Sequence, residues 1–512
     1  MNNKKTEGII IMKTGFTKAT AWLLTILTVG MTVSACADET AAQNSATQTE
    51  ALTAETEAVT EEPDPRLEFA DVAPVPEDFG GVEFKMSVMK DYDLVFKQVG
   101  YWTEEQNGET LNDAIFARNL AVEEAFNVKT SLTPLPDTNA TVRKSVQAGD
   151  YFTDIYFSNN IGEQMTLAQS GCLLDLNALS EMKLDQPWWD QRIQNIAING
   201  SLYVATGDIS IRDDLREMSV LYDKKLYTEF DYPDPYEFVA NGTWTWDQMA
   251  SMVRDVSKDL DGNGKMNIFD QWGLMSEQIA GWYLYLGAGR DSIGYKNGVY
   301  SSDIEDPAIY NIFENVLATL TDKQAVLIMD DGTHASEITT ADIWTEATKI
   351  FSEDRALFRT GTFGDTVDLR DMKKDFGVLP IPKYTEEQKE YYCMEHIDSA
   401  PLAIPSSIAD IHRTALVTEA LAFESKFILT PKFYEVFLDE KVLRDEKSKE
   451  MIDILFDSKY YSLDYLCSIT GLQSTLATIV ATGKNNLASK TASIQKSAQK
   501  KLDKFINAFG DN

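Results

Sequence analysis

Residues 82–88 read Val-Glu-Phe-Lys-Met-Ser-Val, and the alternation of apolar and polar side chains in this stretch predicts a β-strand. A helix is predicted next over 110–127, because the apolar side chains there fall mostly on one side. The pattern then continues, since 128–132 predicts a strand, 141–148 a helix and 154–157 a third strand. This order is typical of an α/β domain with a largely parallel sheet.

Strands and helices also alternate through the rest of the chain. Residues 202–206 and 219–222 predict strands, and 377–380 predicts a short strand that ends at a proline. A helix is predicted over 245–259, with a threonine N-cap at its start. From 411 to the end the pattern is mainly helical. We therefore expect an α/β fold for the whole body of the protein.

The composition of the chain excludes several classes of protein. With 512 residues, of which 44% are hydrophobic, it is long enough for two or three globular domains. Its 46 lysines and arginines stand against 81 acidic residues, and the formal charge of −35 repels phosphate backbones, so no nucleic-acid partner is expected. The three histidines lie far apart, so no zinc site built from neighbouring histidines is expected.

The N-terminus has the layout of an export signal. Lysines precede an apolar run over 21–29, and small residues then lead to a cysteine. The sequence Val-Ser-Ala-Cys at 33–36 resembles the lipobox of bacterial lipoproteins, in which the cysteine is acylated and becomes the new N-terminus. We therefore predict a signal peptide over 1–35, and a lipid on Cys36 that holds the protein at the extracellular face of the bacterial cytoplasmic membrane. An ordinary signal with an incidental cysteine is the alternative.

Residues 36–80 are predicted to be the acylated cysteine followed by a disordered acidic, threonine- and alanine-rich tether. The stretch 37–65 contains no lysine, arginine or aromatic residue. Such a segment cannot bury enough apolar area to offset the entropy lost on ordering. We expect the folded body to begin near Gly81.

Five short motifs lie in order along the body of the chain. They are the helix opening at 104–119, Gln-Pro-Trp-Trp-Asp at 186–190, Thr-Trp-Thr-Trp-Asp at 243–247, Asp-Phe-Gly-Val-Leu-Pro-Ile-Pro at 375–382, and the C-terminal segments at 422–431 and 444–445. Together they resemble the bacterial extracellular solute-binding proteins of ABC importers, of the maltose-binding-like, sugar-type kind. The resemblance runs from about Gly81 to the C-terminus.

This resemblance implies a two-lobe fold of the periplasmic-binding-protein, or Venus-flytrap, type with multiple hinge crossings. The expected lobes are 81–205 with 398–445, and 206–397 with 446–512. We place the first crossing near 203–210 and the return near 399–404. The lobes would close over a ligand by a hinge motion. The closed protein, a monomer, would deliver its ligand to ABC permease subunits in the membrane.

Aromatic and charged side chains favour a carbohydrate, and specifically an oligosaccharide, as the ligand, with peptides and other metabolites as the alternatives. A sugar ring packs its apolar C–H face on an aromatic side chain, while carboxylates and arginines bind the hydroxyls. The aromatic candidates are Trp102, Trp189 and Trp282. Because Trp188 and Trp189 are adjacent, we expect Trp189 in the cleft and its neighbour in the core. For each tryptophan, packing in the core is the alternative.

The charged candidates lie near predicted strand ends and crossings, where open α/β sheets bind their ligands. They are Asp154, Asp208, Arg212, Arg359 and Asp398. Their carboxylates and guanidinium groups would accept from, or donate to, ligand hydroxyls. An exposed loop charge with no ligand is the alternative for each.

A possible structural calcium site lies between the predicted helix at 245–259 and a strand that begins near Trp272. Its ligands would be Asp259, Asp261, Asn263, Lys265 through its backbone carbonyl, Asn267 and Asp270. The spacing matches an EF-hand-type loop, with an aspartate at the last position where glutamate is usual. A metal-free turn is the alternative.

Together these observations predict a binding protein and not an enzyme. The sequence contains no nucleophile elbow and no zinc-protease motif, and no catalytic cofactor is required. We expect a protein that captures its ligand and releases it unaltered to a permease. Two alternatives stay open: a lipid-anchored glycan hydrolase, and a surface sensor or adhesin that uses the same cleft.

Overall fold

A computed structural model describes residues 64–90, 100–369, 375–439 and 446–510. The predicted signal peptide and the predicted lipidation site, Cys36, lie outside the described residues. In the described part of the chain, no helix is both long and apolar enough to cross a bilayer.

The β-strands are short and are spread along the chain. They are β1 (Val82–Met89), β2 (Val128–Leu135), β3 (Ile155–Phe157), β4 (Met218–Asp223), β5 (Trp272–Ser276), β6 (Ile293–Lys296), β7 (Val299–Ser302), β8 (Val326–Ile328), β9 (Ala356–Thr362), β10 (Phe376–Leu379), β11 (Cys393–Met394), β12 (Leu402–Ala403) and β13 (Lys459–Tyr460). The strands predicted over 82–88, 128–132 and 219–222 are confirmed as β1, β2 and β4.

Helices lie between most of these strands. They are α1 (Thr110–Phe126), α2 (Thr138–Ala148), α3 (Ile161–Gln169), α4 (Arg212–Arg216), α5 (Lys224–Glu229), α6 (Pro235–Ala240), α7 (Trp246–Val256), α8 (Ala280–Gly287), α9 (Pro307–Leu320), α10 (Ile343–Ser352), α11 (Asp365–Asp368), α12 (Ile411–Asp439), α13 (Glu446–Phe456), α14 (Leu463–Cys467), α15 (Leu472–Thr482) and α16 (Leu487–Asn507). The predicted threonine N-cap of α7 is confirmed, because the Thr245 side chain accepts from the backbone N–H of Gln248.

The first sheet has the strand order β12-β3-β1-β2. Strand β1 pairs in parallel with β2 and β3, whereas β12 runs antiparallel to β3. Phe84, Met86 and Val88 of β1 are buried, which explains the alternation in the sequence. Because the three parallel strands point the same way, their carboxyl ends meet at one edge of this sheet.

The second sheet has the order β10-β4-β9-β5-β8 and is mixed. Strands β5, β8 and β9 are parallel, so their carboxyl ends also meet at one edge. Strand β4 runs antiparallel to β9, and its first residue, Met218, pairs with Thr362 at the end of β9. The chain therefore enters the second sheet at the edge where the parallel strands end.

Several segments pass between the two sheets. One runs from 203 to 217 and leads into β4, and another runs from β11 to β12. Isolated bridges join these segments at Ala205 with Leu402 and at Glu217 with Glu395, and β11 pairs with β13. The strand predicted over 202–206 is wrong, because this segment forms only the isolated bridge at Ala205. After that bridge the chain turns at Gly207, whose φ of +145° brings its backbone against Trp188.

The end of the predicted tether packs against the folded body, which differs from the expectation of disorder up to residue 80. Residues Pro65–Phe69 form a 3₁₀ helix, and Arg66 forms an ion pair with Glu424 of α12 at 2.9 Å. The Phe69 ring lies edge-on to Trp188 at 5.7 Å. Arg66 and Phe69 come directly after the stretch that lacks basic and aromatic residues, and they supply the contacts that order this segment.

Candidate functional site

A pocket lies at the carboxyl edge of the second sheet, where β5 and β9 end side by side. We call it the edge pocket; it is lined by Met275, Ser276, Glu277, Met329, Trp344, Ala347, Arg359, Thr360 and Asp365. The hydroxyls of Ser276, Tyr283 and Thr360 lie 2.5–2.7 Å from one another. These mutual hydrogen bonds fix the ends of β5 and β9 and hence the wall of the pocket.

Glu277 follows β5 directly and is partly buried. Within the described ranges, no group forms a hydrogen bond or an ion pair with its carboxylate. Burial, together with the nearby charges of Asp365 and Asp330, raises the pKa of Glu277 to about 7, whereas the charges of His396 and Arg359 oppose this rise. Glu277 therefore offers the pocket a carboxyl group without a protein partner.

Two other side chains define the walls and mouth of the edge pocket. Arg359 on β9 is 4% exposed, and its guanidinium lies 3.3 Å from the Asp365 carboxylate and donates to Thr348 at 3.2 Å. Trp344 lies in the first turn of α10, which Asp342 caps, and its side chain is 46% exposed. The pocket thus combines an oriented guanidinium, a free carboxyl group and an accessible indole.

A second charged group lies on the segments that pass between the sheets. We call it the histidine cluster: Arg212, Arg216, His396 and Asp398. The Asp398 carboxylate lies 3.2 Å from the guanidinium of Arg216 and 3.9 Å from that of Arg212, and Nδ1 of His396 contacts its other oxygen. Nε of Arg212 donates to the Asp398 carbonyl at 3.4 Å. The structure therefore brings together two of the predicted site residues, Arg212 and Asp398.

The histidine cluster lies near the edge pocket, because the charge of His396 lowers the pKa of Glu277. Burial raises the pKa of Tyr465, and the charges of Asp398 and Glu277 raise it further. The Tyr465 ring centroid lies 6.3 Å from that of His396. Side chains from the sheet edge and from the crossing segments thus surround one region.

The three predicted tryptophans do not line the edge pocket. Trp282 is fully buried in α8, and Trp102 is partly buried with its indole N–H donating to Thr130 at 3.2 Å. Trp189 is 3% exposed, and its indole and that of Trp188 both donate to the Glu419 carboxylate, at 2.9 and 2.7 Å. These side chains serve the protein's own packing and hydrogen bonding, and a ligand contact by any of the three stays a prediction.

Asp154 and Asp208 are also engaged within the protein. Asp154 is fully buried and accepts from the backbone N–H of Lys85 at 2.8 Å and from the Tyr151 hydroxyl at 2.7 Å. Asp208 accepts from the Thr430 hydroxyl at 2.6 Å, and burial raises its pKa to about 7. Asp154 therefore links β1 to β3, which begins at the next residue, and this is a structural role.

A third charged group surrounds Lys459 on β13. We call it the lysine cluster: Asp190, Asp213, Asp214 and Lys459. The Lys459 amine lies 3.3, 2.9 and 2.6 Å from the three carboxylates, in that order. A small polar cavity beside it is lined by Trp189 and Asp208 together with these four residues. All three of these carboxylates lie within ion-pair distance of the Lys459 amine, whereas Glu277 in the edge pocket has no ion-pair partner within the described residues.

The predicted calcium loop lies between α7 and β5. Carboxylate oxygens of Asp259, Asp261 and Asp270 lie within 4.8 Å of one another. The Asp259 carboxylate accepts from the backbone N–H of Gly264, which lowers its pKa. The strand predicted after the loop is confirmed as β5, and Lys258 pairs with Gln271 at the base of the loop. The donors are all oxygens, which suits Ca²⁺.

Sequence reasoning missed several residues of this region, including Glu277, Trp344, Asp365 and His396. Glu277 was within reach of the rule that ligands bind beyond the carboxyl ends of strands, because a strand was predicted to begin near Trp272. The others carry no local signal, since only the tertiary fold places α10 and the β11–β12 segment beside this edge.

Comparisons with known proteins indicate the type of fold. No profile of a protein family matches the chain, and no curated protein matches it. Among solved structures, a cyclo/maltodextrin-binding protein in complex with maltotetraose is similar over 82% of this chain and 97% of its own, with 12% identity and a TM-score of 0.53. This likeness confirms the predicted α/β, periplasmic-binding-protein-like fold.

Two further solved structures are similar over most of the chain. The GacH receptor of Streptomyces glaucescens GLA.O, studied unliganded and with acarbose, shares 14% identity over 84% of this chain and 99% of its own, with a TM-score of 0.49. The MalE domain from Bdellovibrio bacteriovorus, bound to maltotriose, shares 13% identity over 82% of this chain and 100% of its own, with a TM-score of 0.49.

Proposed function

We propose that this chain is a lipid-anchored, extracellular solute-binding protein that captures a carbohydrate, an oligosaccharide, at the edge pocket and delivers it unaltered to an ABC permease. The fold supports this proposal, because the binding-protein architecture closes two rigid halves over a ligand by a hinge motion. The solved neighbour with a TM-score of 0.53 has the same fold and was crystallised with maltotetraose.

The observation that carries the proposal is the pairing of a partner-free carboxyl group with an accessible indole in one pocket. Glu277 has no protein partner within the described residues, and Trp344 is 46% exposed. An indole covers the apolar face of a sugar ring, while a carboxylate accepts from adjacent hydroxyls. The carboxyl group regains on binding the hydrogen bonds that its partial burial removes.

Arg359 adds directionality to the same pocket. Its ion pair with Asp365 and its hydrogen bond to Thr348 hold the guanidinium plane in one orientation. A fixed donor of this kind selects ligands whose acceptor oxygens are correctly placed, because no side-chain entropy is lost on binding. The predicted contact of Arg359 with the ligand is retained on this ground.

The histidine cluster would supply contacts from the other side. Arg212, Arg216 and His396 belong to segments that pass between the sheets, and the charge of His396 acts on Glu277. Their hydrogen-bonding groups surround a single carboxylate, Asp398. A ligand bound between the cluster and the pocket would therefore contact both the sheet edge and the crossing segments, which couples binding to closure.

The extracellular location and the membrane partner rest on the sequence. Cys36 follows an apolar run at the spacing of a lipobox, and the chain carries a strong net negative charge. Acyl chains on this cysteine would keep the protein beside a permease in the membrane. Labelling of growing cells with a radioactive fatty acid, with Cys36→Ala as the control, tests the anchor directly.

Titration calorimetry with a panel of oligosaccharides tests the binding function. We expect stoichiometric binding of at least one oligosaccharide, with recovery of the unaltered sugar by chromatography. Glu277→Gln and Trp344→Ala should each weaken binding about tenfold or more, because each removes a charge-assisted hydrogen bond or a stacking surface. Tyr295→Ala, at a 59% exposed tyrosine of the hairpin β6–β7, is the matched control.

Analysis of the recovered sugar and a measurement of sugar uptake by cells separate the alternatives. Shortened sugars in the recovered sample would show a glycan hydrolase and overturn the proposal. Binding with no uptake defect in cells that lack the protein would favour the surface sensor or adhesin. Loss of sugar uptake, restored by the wild-type chain and not by Glu277→Gln, is the result that transport requires.

We also propose that the loop from Asp259 to Asp270 binds a structural Ca²⁺. The convergence of three carboxylates within 4.8 Å supports the proposal, because charges of one sign repel in the absence of a cation. A ligand present at about 100 times its dissociation constant stabilises the folded state by ~2.7 kcal/mol. Calcium should therefore raise the melting temperature and EGTA should lower it, whereas Asp261→Asn should abolish the response. An unchanged melting temperature on adding calcium would contradict the proposal.

A further inference from the structure

The edge pocket carries an imbalance of charge. Glu277 and Asp365 line the pocket, and a third acid, Asp330, accepts from the backbone N–H of Gln278, the residue next to Glu277, at 2.8 Å. The guanidinium in the pocket, Arg359, forms an ion pair with Asp365. One cation therefore faces three acids, and the cation already has an acidic partner.

Neighbouring cations do not correct this imbalance. His396 contacts the carboxylate of Asp398, and Arg216 forms an ion pair with the same carboxylate at 3.2 Å. Within the described ranges of the chain, Glu277 has no ion-pair partner. A carboxylate that is partly withdrawn from water beside two others is unfavourable unless it gains a proton or a counter-charge.

We propose that the ligand carries a positively charged nitrogen, as an amino sugar does, and that Glu277 binds this nitrogen in the edge pocket. The inference rests on the proposed carbohydrate-binding function and names the chemical class of the ligand. A neutral sugar donates hydrogen bonds to Glu277 but leaves the repulsion among the three acids in place. An ammonium group removes it and forms a charge-assisted hydrogen bond.

Two features of the protein support a cationic ligand independently. The accessible indole of Trp344 attracts cations through its ring quadrupole, in addition to packing on the sugar. The formal charge of −35 concentrates cations around the molecule and speeds their encounter with an acidic pocket. Both effects act on an ammonium-bearing sugar and are absent for a neutral one of the same shape.

Three tetrasaccharides with the same linkage test the proposal: the glucosamine tetramer, the N-acetylglucosamine tetramer and cellotetraose. They differ only in the substituent on the second carbon of each ring. Titration calorimetry is run with the wild-type protein and with Glu277→Gln, and Glu124→Gln is the control because Glu124 is an exposed acid on α1.

We expect the glucosamine tetramer to bind the wild-type protein at least about tenfold more tightly than either neutral tetramer, the range of one charge-assisted hydrogen bond. The preference should disappear in Glu277→Gln, persist in Glu124→Gln and fall with added salt. Equal affinity for cellotetraose or the acetylated tetramer would overturn the inference and leave the carbohydrate-binding function standing. If none of the three binds, the inference fails, and the wider oligosaccharide panel decides the carbohydrate-binding function.

Discussion

Replacement of Lys459 by methionine should strongly destabilise the folded protein. The Lys459 amine is buried and lies 2.6–3.3 Å from the carboxylates of Asp190, Asp213 and Asp214. Burial alone would lower the pKa of Lys459, but these three carboxylates raise it well above its usual value. Methionine fills a similar volume without the charge, so the substitution removes the counter-ion and little packing.

The size of the loss in the free energy of unfolding depends on whether the three acids keep a compensating partner after the substitution. Removal of one partner of a buried ion pair costs about 3–5 kcal/mol, because the remaining charge has no compensation. Here one amine serves three carboxylates, so we expect a loss at the upper end of that range at about pH 8. The hydroxyl of Tyr461 donates to Asp190 at 2.6 Å and continues to stabilise this carboxylate, but not those of Asp213 and Asp214.

The loss of stability caused by Lys459→Met should be smaller at acidic pH. Burial raises the pKa of Asp213 and Asp214 even with the lysine present, and the lysine opposes that rise. Without the lysine, these carboxyl groups hold protons in the folded state at still higher pH. A group whose folded-state pKa is raised loses stability as the pH rises through that value. The variant should therefore approach the wild type at about pH 5 and diverge from it at about pH 8.

Guanidinium denaturation followed by circular dichroism measures both effects. Lys447→Met is the matched control, because Lys447 also faces two acids, Asp234 and Glu237, but its side chain is half exposed. That control should change stability far less, since solvent screens exposed pairs. A loss below about 1 kcal/mol for Lys459→Met, or a loss that does not vary with pH, would refute the reasoning.

Three further predictions concern packing, a buried arginine and a buried acid pair. Gly273→Ala on β5 should lower the free energy of unfolding by about 3 kcal/mol or more, because the new Cβ would lie 1.7 Å from the Val253 carbonyl oxygen of α7. A denaturation midpoint equal to that of the wild type would contradict this. Arg118→Met should lower the free energy of unfolding by about 3 kcal/mol or more, because each buried acceptor left without a donor costs ~1–3 kcal/mol. The guanidinium donates to four acceptors, among them the carbonyls of Tyr101 and Ile209. Arg118→Lys should recover part of the lost stability. The backbones of Glu217 and Glu395 form an isolated bridge, and within the described residues their four carboxylate oxygens have no hydrogen-bond partner. Burial raises both pKa values, so stability should fall as the pH rises above about 4; Glu395→Gln should flatten that slope, and an unchanged slope would count against a raised pKa for Glu395.

Local patterns in the sequence were sufficient to predict much of the secondary structure. The strand over 82–88 was predictable because the apolar side chains of Phe84, Met86 and Val88 are buried, whereas those of Glu83 and Lys85 between them are exposed or half-buried. The segment 202–206 has the same apolar look, yet it forms only one isolated bridge. Its apolar side chains are buried by the surrounding packing and not by a β-sheet. A buried segment without β-pairing therefore has the same apolar pattern in the sequence as a strand.

The candidate site was less predictable, because the strongest local signals were aromatic. Trp188 and Trp189 form an obvious sequence motif, but both indoles donate to one buried carboxylate, Glu419, on a helix more than two hundred residues away. Conversely, Glu277 is an ordinary glutamate in the sequence, and it is distinctive only because the fold, over the residues that the structure describes, leaves it without a partner. The absence of a partner is a tertiary property that no local pattern encodes.

Two groups of buried charges involve the segments that pass between the sheets. The lysine cluster joins residues near 190, 213 and 459, and the histidine cluster joins residues near 212 and 396. Movement of one sheet relative to the other must therefore keep or exchange ion pairs as well as apolar contacts. Since ion pairs depend on protonation and their loss is costly in a buried place, electrostatics at these segments should set the balance between conformations. A ligand that adds charge at Glu277, near His396, would act directly on that balance.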